Sequence, residues 1–110
     1  MSPGRFDLDI WVGNTAKWRF EFAADATTPF DLTGSELLFT LFHDGPPIVR
    51  TLTIDDAAEG KASLMLTVDD TRAVCAVRGP ARYEVERRID GNQNTLLFGA
   101  IRRKGGANND

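Results

Sequence analysis

The sequence predicts an all-β fold, an antiparallel sandwich or barrel of about seven short strands with one short helical turn. Three observations predict it. Apolar residues alternate with polar ones in most of the apolar stretches, the period-two pattern of half-buried strands. Glycine, proline, asparagine and aspartate punctuate those stretches at intervals of roughly 8–12 residues, the spacing of short strands joined by turns. Only Asp69–Val77 carries a helix start, and Gly79-Pro80 stops it after about one to two turns.

Phe6-Asp-Leu-Asp-Ile places Phe6, Leu8 and Ile10 inward, with Asp7 and Asp9 outward. Trp11 falls out of phase with that row and points to solvent. Gly13-Asn14-Thr15 is turn material. Lys17–Phe22 repeats the alternation, with Trp18, Phe20 and Phe22 on the core side. After a loop over Ala23–Pro29 comes the stretch around which the chain is organised, Pro29–Leu41. Pro29 fixes φ, Asp31 and Thr33 hold a bend by local hydrogen bonds, and Gly34 permits a left-handed residue. Leu37, Phe39 and Leu41 then share one face of a central strand, and Leu38 and Phe42 share the other.

Asp44-Gly-Pro-Pro ends that strand, since two prolines do not fit a sheet interior. Ile48–Ile54 reads as the next strand, with Ile48, Leu52 and Ile54 in phase, and a polar turn around Gly60 follows. Ala62, Leu64, Leu66 and Val68 form another inward row. Thr67 and Asp70 have the spacing of a capping box, and Asp69 itself is the alternative cap. Arg82–Ile89 and Thr95–Arg102 flank Asp90-Gly-Asn-Gln, a hairpin signal. A loop over residues 90–93 sets Val85 against Phe98 and Tyr83 against Ala100, with all four on one side. Residues 1–103 thus form a single sandwich domain, and Lys104–Asp110, apolar only at Ala107, is a disordered tail.

Composition bounds the function. A chain of 110 residues is one domain with room for one core. The net charge of −3 argues against a nucleic-acid binder, which is usually basic. A single cysteine, Cys75, makes no internal disulfide and fits a reducing compartment. The N-terminus lacks a signal-peptide apolar core, and no run is long enough to span a membrane. Residues 1–60 hold ten acids and four bases; residues 61–110 hold six acids and nine bases. That polarity favours head-to-tail contact between copies.

Catalysis needs a base beside a nucleophile, or paired acids in a cleft. The one histidine, His43, sits at a strand end beside Asp44-Gly and reads as a turn residue. Cys75, between Val74 and Ala76, reads as a core filler. Asp55-Asp56 and Asp69-Asp70 lack the spacing of a calcium loop, and no zinc, phosphate-loop or nucleophile-elbow motif occurs. Neither metal nor cofactor is expected. Two features suggest binding to another protein. Trp11 is an outward aromatic anchor, and Arg87-Arg88 with Arg102-Arg103-Lys104 converges on neighbouring strands as a basic surface.

Five segments in order carry a family resemblance. They are Gly13-Asn-Thr-Ala-Lys-Trp-Arg-Phe, Pro29-Phe-Asp-Leu-Thr-Gly, Leu64-Met-Leu-Thr-Val-Asp-Asp-Thr, Gly79-Pro-Ala-Arg-Tyr-Glu-Val and Leu96-Leu-Phe-Gly-Ala-Ile. Together, over about residues 6–102, the chain resembles small proteins encoded in the structural-gene clusters of tailed bacteriophages and prophages. The resemblance implies an immunoglobulin-like sandwich. It also implies a non-enzymatic head, tail or baseplate accessory, located in the virion after assembly in the host cytoplasm. Its partners would be other virion proteins and further copies of itself, with neither nucleic acid nor membrane. Members used as fibre anchors often continue into a long stalk; this chain stops after its short tail, which fits a free-standing accessory or adaptor subunit, or a truncated piece of a longer protein. A carbohydrate-binding adhesion module is the alternative, and exposed coplanar aromatics would mark it.

Overall fold

Burial follows the alternation. In β4 (Glu36–His43) Leu37, Phe39 and Leu41 are fully buried, while Leu38, Thr40 and Phe42 on the opposite face are half-buried. The same rule makes β7 (Lys61–Leu66) bury Ala62, Leu64 and Leu66. A computed structural model describes residues 4–76 and 79–104. The other strands are β1 (Gly4–Arg5), β2 (Leu8–Trp11), β3 (Ala16–Glu21), β5 (Gly45–Thr51), β6 (Thr53–Asp56), β8 (Arg82–Ile89) and β9 (Asn92–Lys104). One helix, α1 (Val68–Ala76), joins β7 to β8.

The strands form two sheets. One runs β1-β9-β8-β4-β5, with β2 also on β9; the other runs β3-β7-β6. This is an all-β, immunoglobulin-like sandwich. Phe39 and Tyr83 stack at 5.4 Å between the sheets, among Leu8, Ile10, Leu32, Leu64 and Val85. Most neighbours are antiparallel, but β1 and β2 run parallel to β9.

Four expectations are corrected. The stretch Ile48–Ile54 is two strands in different sheets. The chain crosses at buried Leu52, whose N–H donates to the Leu37 carbonyl at 2.9 Å. Pro46 and Pro47 lie inside β5, an edge strand, at the irregularity where its ladder to β4 skips from Ile48 to Gly45, so neither missing donor breaks a regular pair. The β8–β9 loop is Asp90-Gly91 alone, both with positive φ, as a tight two-residue hairpin turn requires. A bulge beyond Val85 then shifts the register, so Val85 faces Leu97 and Tyr83 faces Gly99. Phe98 and Ala100 therefore face the opposite side from Tyr83 and Val85. Lastly, Lys104 belongs to β9; the remainder of the expected tail, 105–110, lies outside the described residues.

Phe6 also departs from its expected inward position and is 55% exposed. The ladder to β9 breaks at Phe6-Asp7 and resumes in the same register at Leu8. At the break the Asp7 carboxylate accepts the Ala100 N–H at 2.9 Å, in place of a backbone carbonyl. The Phe6 carbonyl turns inward to accept the Tyr83 hydroxyl proton. Gly99 makes room for it, since a Cβ there would lie 2.1 Å from the Phe6 oxygen. With its carbonyl held inside, the Phe6 ring is left outside.

The predicted capping box is present at α1. Thr67 N–H donates to the Asp70 carboxylate at 3.0 Å, and Asp70 N–H donates to the Thr67 hydroxyl at 3.2 Å. Arg50, from β5, grips both oxygens of the same buried carboxylate, tying the helix to the far edge of the larger sheet. Burial pushes Asp70 up, but the Arg50 guanidinium and the Thr67 N–H outweigh it and hold the carboxyl below its ordinary value.

Candidate protein-interaction surface

The five candidate residues separate by strand parity. Trp11 ends β2 opposite Lys104 and is 54% exposed. Arg102 stands on the outer face of β9, and its Nε donates to Asp9 at 2.7 Å across the β2–β9 pair. These two share one corner. Arg88 also lies on the outer face, bonded to Glu86 at 2.9 Å, but near the hairpin end opposite Gln93. Nine residues of strand separate Gln93 from Arg102, about 30 Å. The basic hairpin is therefore two separate patches.

Arg87 and Arg103 point the other way. Arg87 covers one end of the sandwich, donating to the Ser35 hydroxyl at 2.7 Å, with its guanidinium 4.8 Å from the centre of the Phe30 ring. Arg103 reaches under α1, donating to the Val74 carbonyl at 2.8 Å and the Gly79 carbonyl at 2.6 Å. It supplies donors where the helix end leaves carbonyls unpaired. Both arginines hold the fold, leaving Trp11, Arg88 and Arg102 as the solvent-facing candidates.

The structure adds two apolar features. On the outer face of the larger sheet, Val49 and Phe98 are 47% and 38% exposed. They share a row with Thr40 and Glu84 between them. On the same face, the Arg82 guanidinium covers the Phe42 ring at 4.2 Å. The second feature is a groove of about 470 Å³ between the sheet edges, lined by Phe6, Trp18, Phe20 and Leu97 among others. Phe22 is buried in the core as expected, whereas Trp18 and Phe20 are half-buried and form the groove wall. The shifted hairpin register and the inward Phe6 carbonyl create these features, and simple alternation shows neither.

His43 ends β4 with its Nε2 2.8 Å from the Pro46 carbonyl, and Cys75 packs against the core. Among the described residues no group of three His, Cys, Asp or Glu side chains is placed to hold a metal ion. The arrangement leaves Trp11, Arg88 and Arg102 exposed on the outer faces of the strands that carry them.

No family model matches the sequence, and no curated protein matches it. Solved structures do resemble the fold. One is the N-terminal domain of phage TP901-1 ORF48, with a TM-score of 0.56 and 10% identity, covering 94% of this chain and 91% of that one. Another is a Bacteroides vulgatus protein assigned as a glycoside hydrolase, with a TM-score of 0.46 and 16% identity. That match covers 92% of this chain, which spans 17% of the other chain's length. At such identities the likeness is one of fold.

Proposed function

We propose that this protein is a structural subunit of a tailed phage or phage-like particle, a head, tail or baseplate accessory without enzymatic activity. The observation that carries the reading is the domain-for-domain likeness to a phage protein domain, nearly complete in both chains. The subunit works by holding exposed groups on a rigid sandwich. Trp11 and Arg102 dock a neighbouring virion protein at one corner, and Arg88 provides a second contact at the hairpin end. Many copies on one particle let modest contacts suffice through avidity. The protein acts in the virion and is assembled in the bacterial cytoplasm.

Particles assembled without the protein test this directly. Added wild-type protein restores assembly or binds the particles, whereas Trp11→Ala with Arg88→Glu binds at least tenfold more weakly while melting normally. Equal binding by the variant removes the assigned surface, and no binding by either protein removes the particle role. A carbohydrate-binding module is the less supported reading: the aromatics that do lie side by side, Trp18 and Phe20 in the groove, are half-buried. Trp11 and Phe6, the most exposed aromatics described, lie five residues apart, about 16 Å along the chain.

A further inference from the structure

β3 is an edge. It pairs with β7 on one side and with no strand among the described residues on the other. The ladder fixes which backbone groups face the open side. Phe22 N–H donates to the Gly60 carbonyl at 2.8 Å, and these residues continue the β3–β7 register. Hydrogen-bonded pairs recur at every second residue of an antiparallel ladder. Ala16, Trp18 and Phe20 therefore turn their N–H and C=O groups toward β7. Lys17, Arg19 and Glu21 turn theirs outward, unpaired by any strand. An open edge of this kind is a template for another strand. The groove lined by Phe6, Trp18, Phe20 and Leu97 lies beside it, with Phe6 55% exposed.

We propose that two copies of this chain associate through this edge, β3 against β3, antiparallel about a twofold axis at Phe20. Charge selects the partner and the register. The exposed side chains of β3 are Lys17, Arg19 and Glu21. Centring the axis at Phe20 sets Arg19 of each copy opposite Glu21 of the other, two attractive pairs and no repulsive one. An axis at Trp18 opposes Lys17 to Arg19. An axis at Arg19 sets Lys17 opposite Glu21 twice but opposes Arg19 to itself, and an axis at Glu21 opposes Glu21 to itself. Registers centred further along run into the turn closed by the Ala23–Pro29 bridge. On the other face the same register opposes Phe20 to Phe20 and Trp18 to Phe22, aromatic pairs that extend the core across the axis. The Phe6 side of each groove is then covered by the second copy. The surface is distinct from Trp11, Arg88 and Arg102, and the proposal stands whether or not the particle role does.

Sedimentation equilibrium on the full chain, up to roughly millimolar concentration, tests this. The wild type dimerises. Arg19→Glu and Glu21→Arg each turn both attractive pairs repulsive and weaken the dimer on the order of tenfold or more. The double variant R19E/E21R restores it, and an equimolar mixture of the two single variants forms a heterodimer. Thermal melts confirm that each variant folds, since both positions are exposed. A wild type that stays monomeric, or single variants that dimerise as well as it does, overturns the proposal. So does a loss in the single variants that neither the double variant nor the mixture recovers.

Discussion

Tyr83→Phe removes one hydroxyl and leaves the ring stack on Phe39 in place. That hydroxyl donates to the Phe6 carbonyl inside the sandwich, at the break between β1 and β2. Losing it leaves a buried acceptor unpaired and costs about 1–2 kcal/mol. For a domain of this size each kcal/mol moves the melting temperature by about 4 °C, so the variant melts about 4–8 °C lower. Alkaline titration gives an independent reading, because Tyr83 is the sole tyrosine and the phenolate absorbance belongs to it alone. Burial, aided by the nearby Asp7 charge, pushes the phenol from 10.0 up to about 12. The native state keeps its proton where the unfolded chain has released it. The associated stability is thus intact below pH 10 and is lost as pH rises toward 12. In Tyr83→Phe that part of the alkaline decline disappears. A phenolate appearing near pH 10 while the fold persists, or a melting shift under about one degree, would refute the reasoning.

Other perturbations follow from the same structure. Gly99→Ala sets a Cβ against the Phe6 carbonyl, so β1 and β2 must leave β9; a loss above about 2 kcal/mol in urea unfolding is expected. Asp70→Asn keeps a cap acceptor but removes the charge gripped by Arg50, costing about 2 kcal/mol at pH 7. The native Asp70 carboxyl sits below 3.8, so its contribution holds above about pH 4 and is lost as pH falls through the native value. The variant's acid-unfolding curve lacks that component, and a double-mutant cycle with Arg50→Met measures the coupling. Arg103→Met leaves the Val74 and Gly79 carbonyls without their donor, and costs about 1–3 kcal/mol in the same assay. Trp11→Ala changes stability by less than about 0.5 kcal/mol, because the ring is exposed.

Much of this fold is legible in the residues. The inward rows of β4 and β7, the Thr67–Asp70 box and the outward Trp11 follow from periods and spacings that a local reading contains. What stays hidden depends on events several residues long. The crossing at Leu52 keeps an unbroken period of two while the chain changes sheets. The bulge beyond Val85 inserts one residue, and that single step turns Phe98 from core to surface. The inward Phe6 carbonyl needs Tyr83 and Gly99 to be known as its neighbours, and they are distant in sequence. The basic patch fails as one unit for a simpler reason: adjacent arginines on a strand face opposite ways, so Arg87 and Arg103 are drawn into the fold while Arg88 and Arg102 are not.

The particle role is tested most directly by quantitative mass spectrometry, with lysine cross-linking, on phage or phage-like particles purified from cells that carry the gene for this chain. The account predicts the protein in multiple copies per particle. It also predicts cross-links from Lys104, the residue opposite Trp11, to a different virion protein. Particles that are complete and infectious without this protein would contradict it.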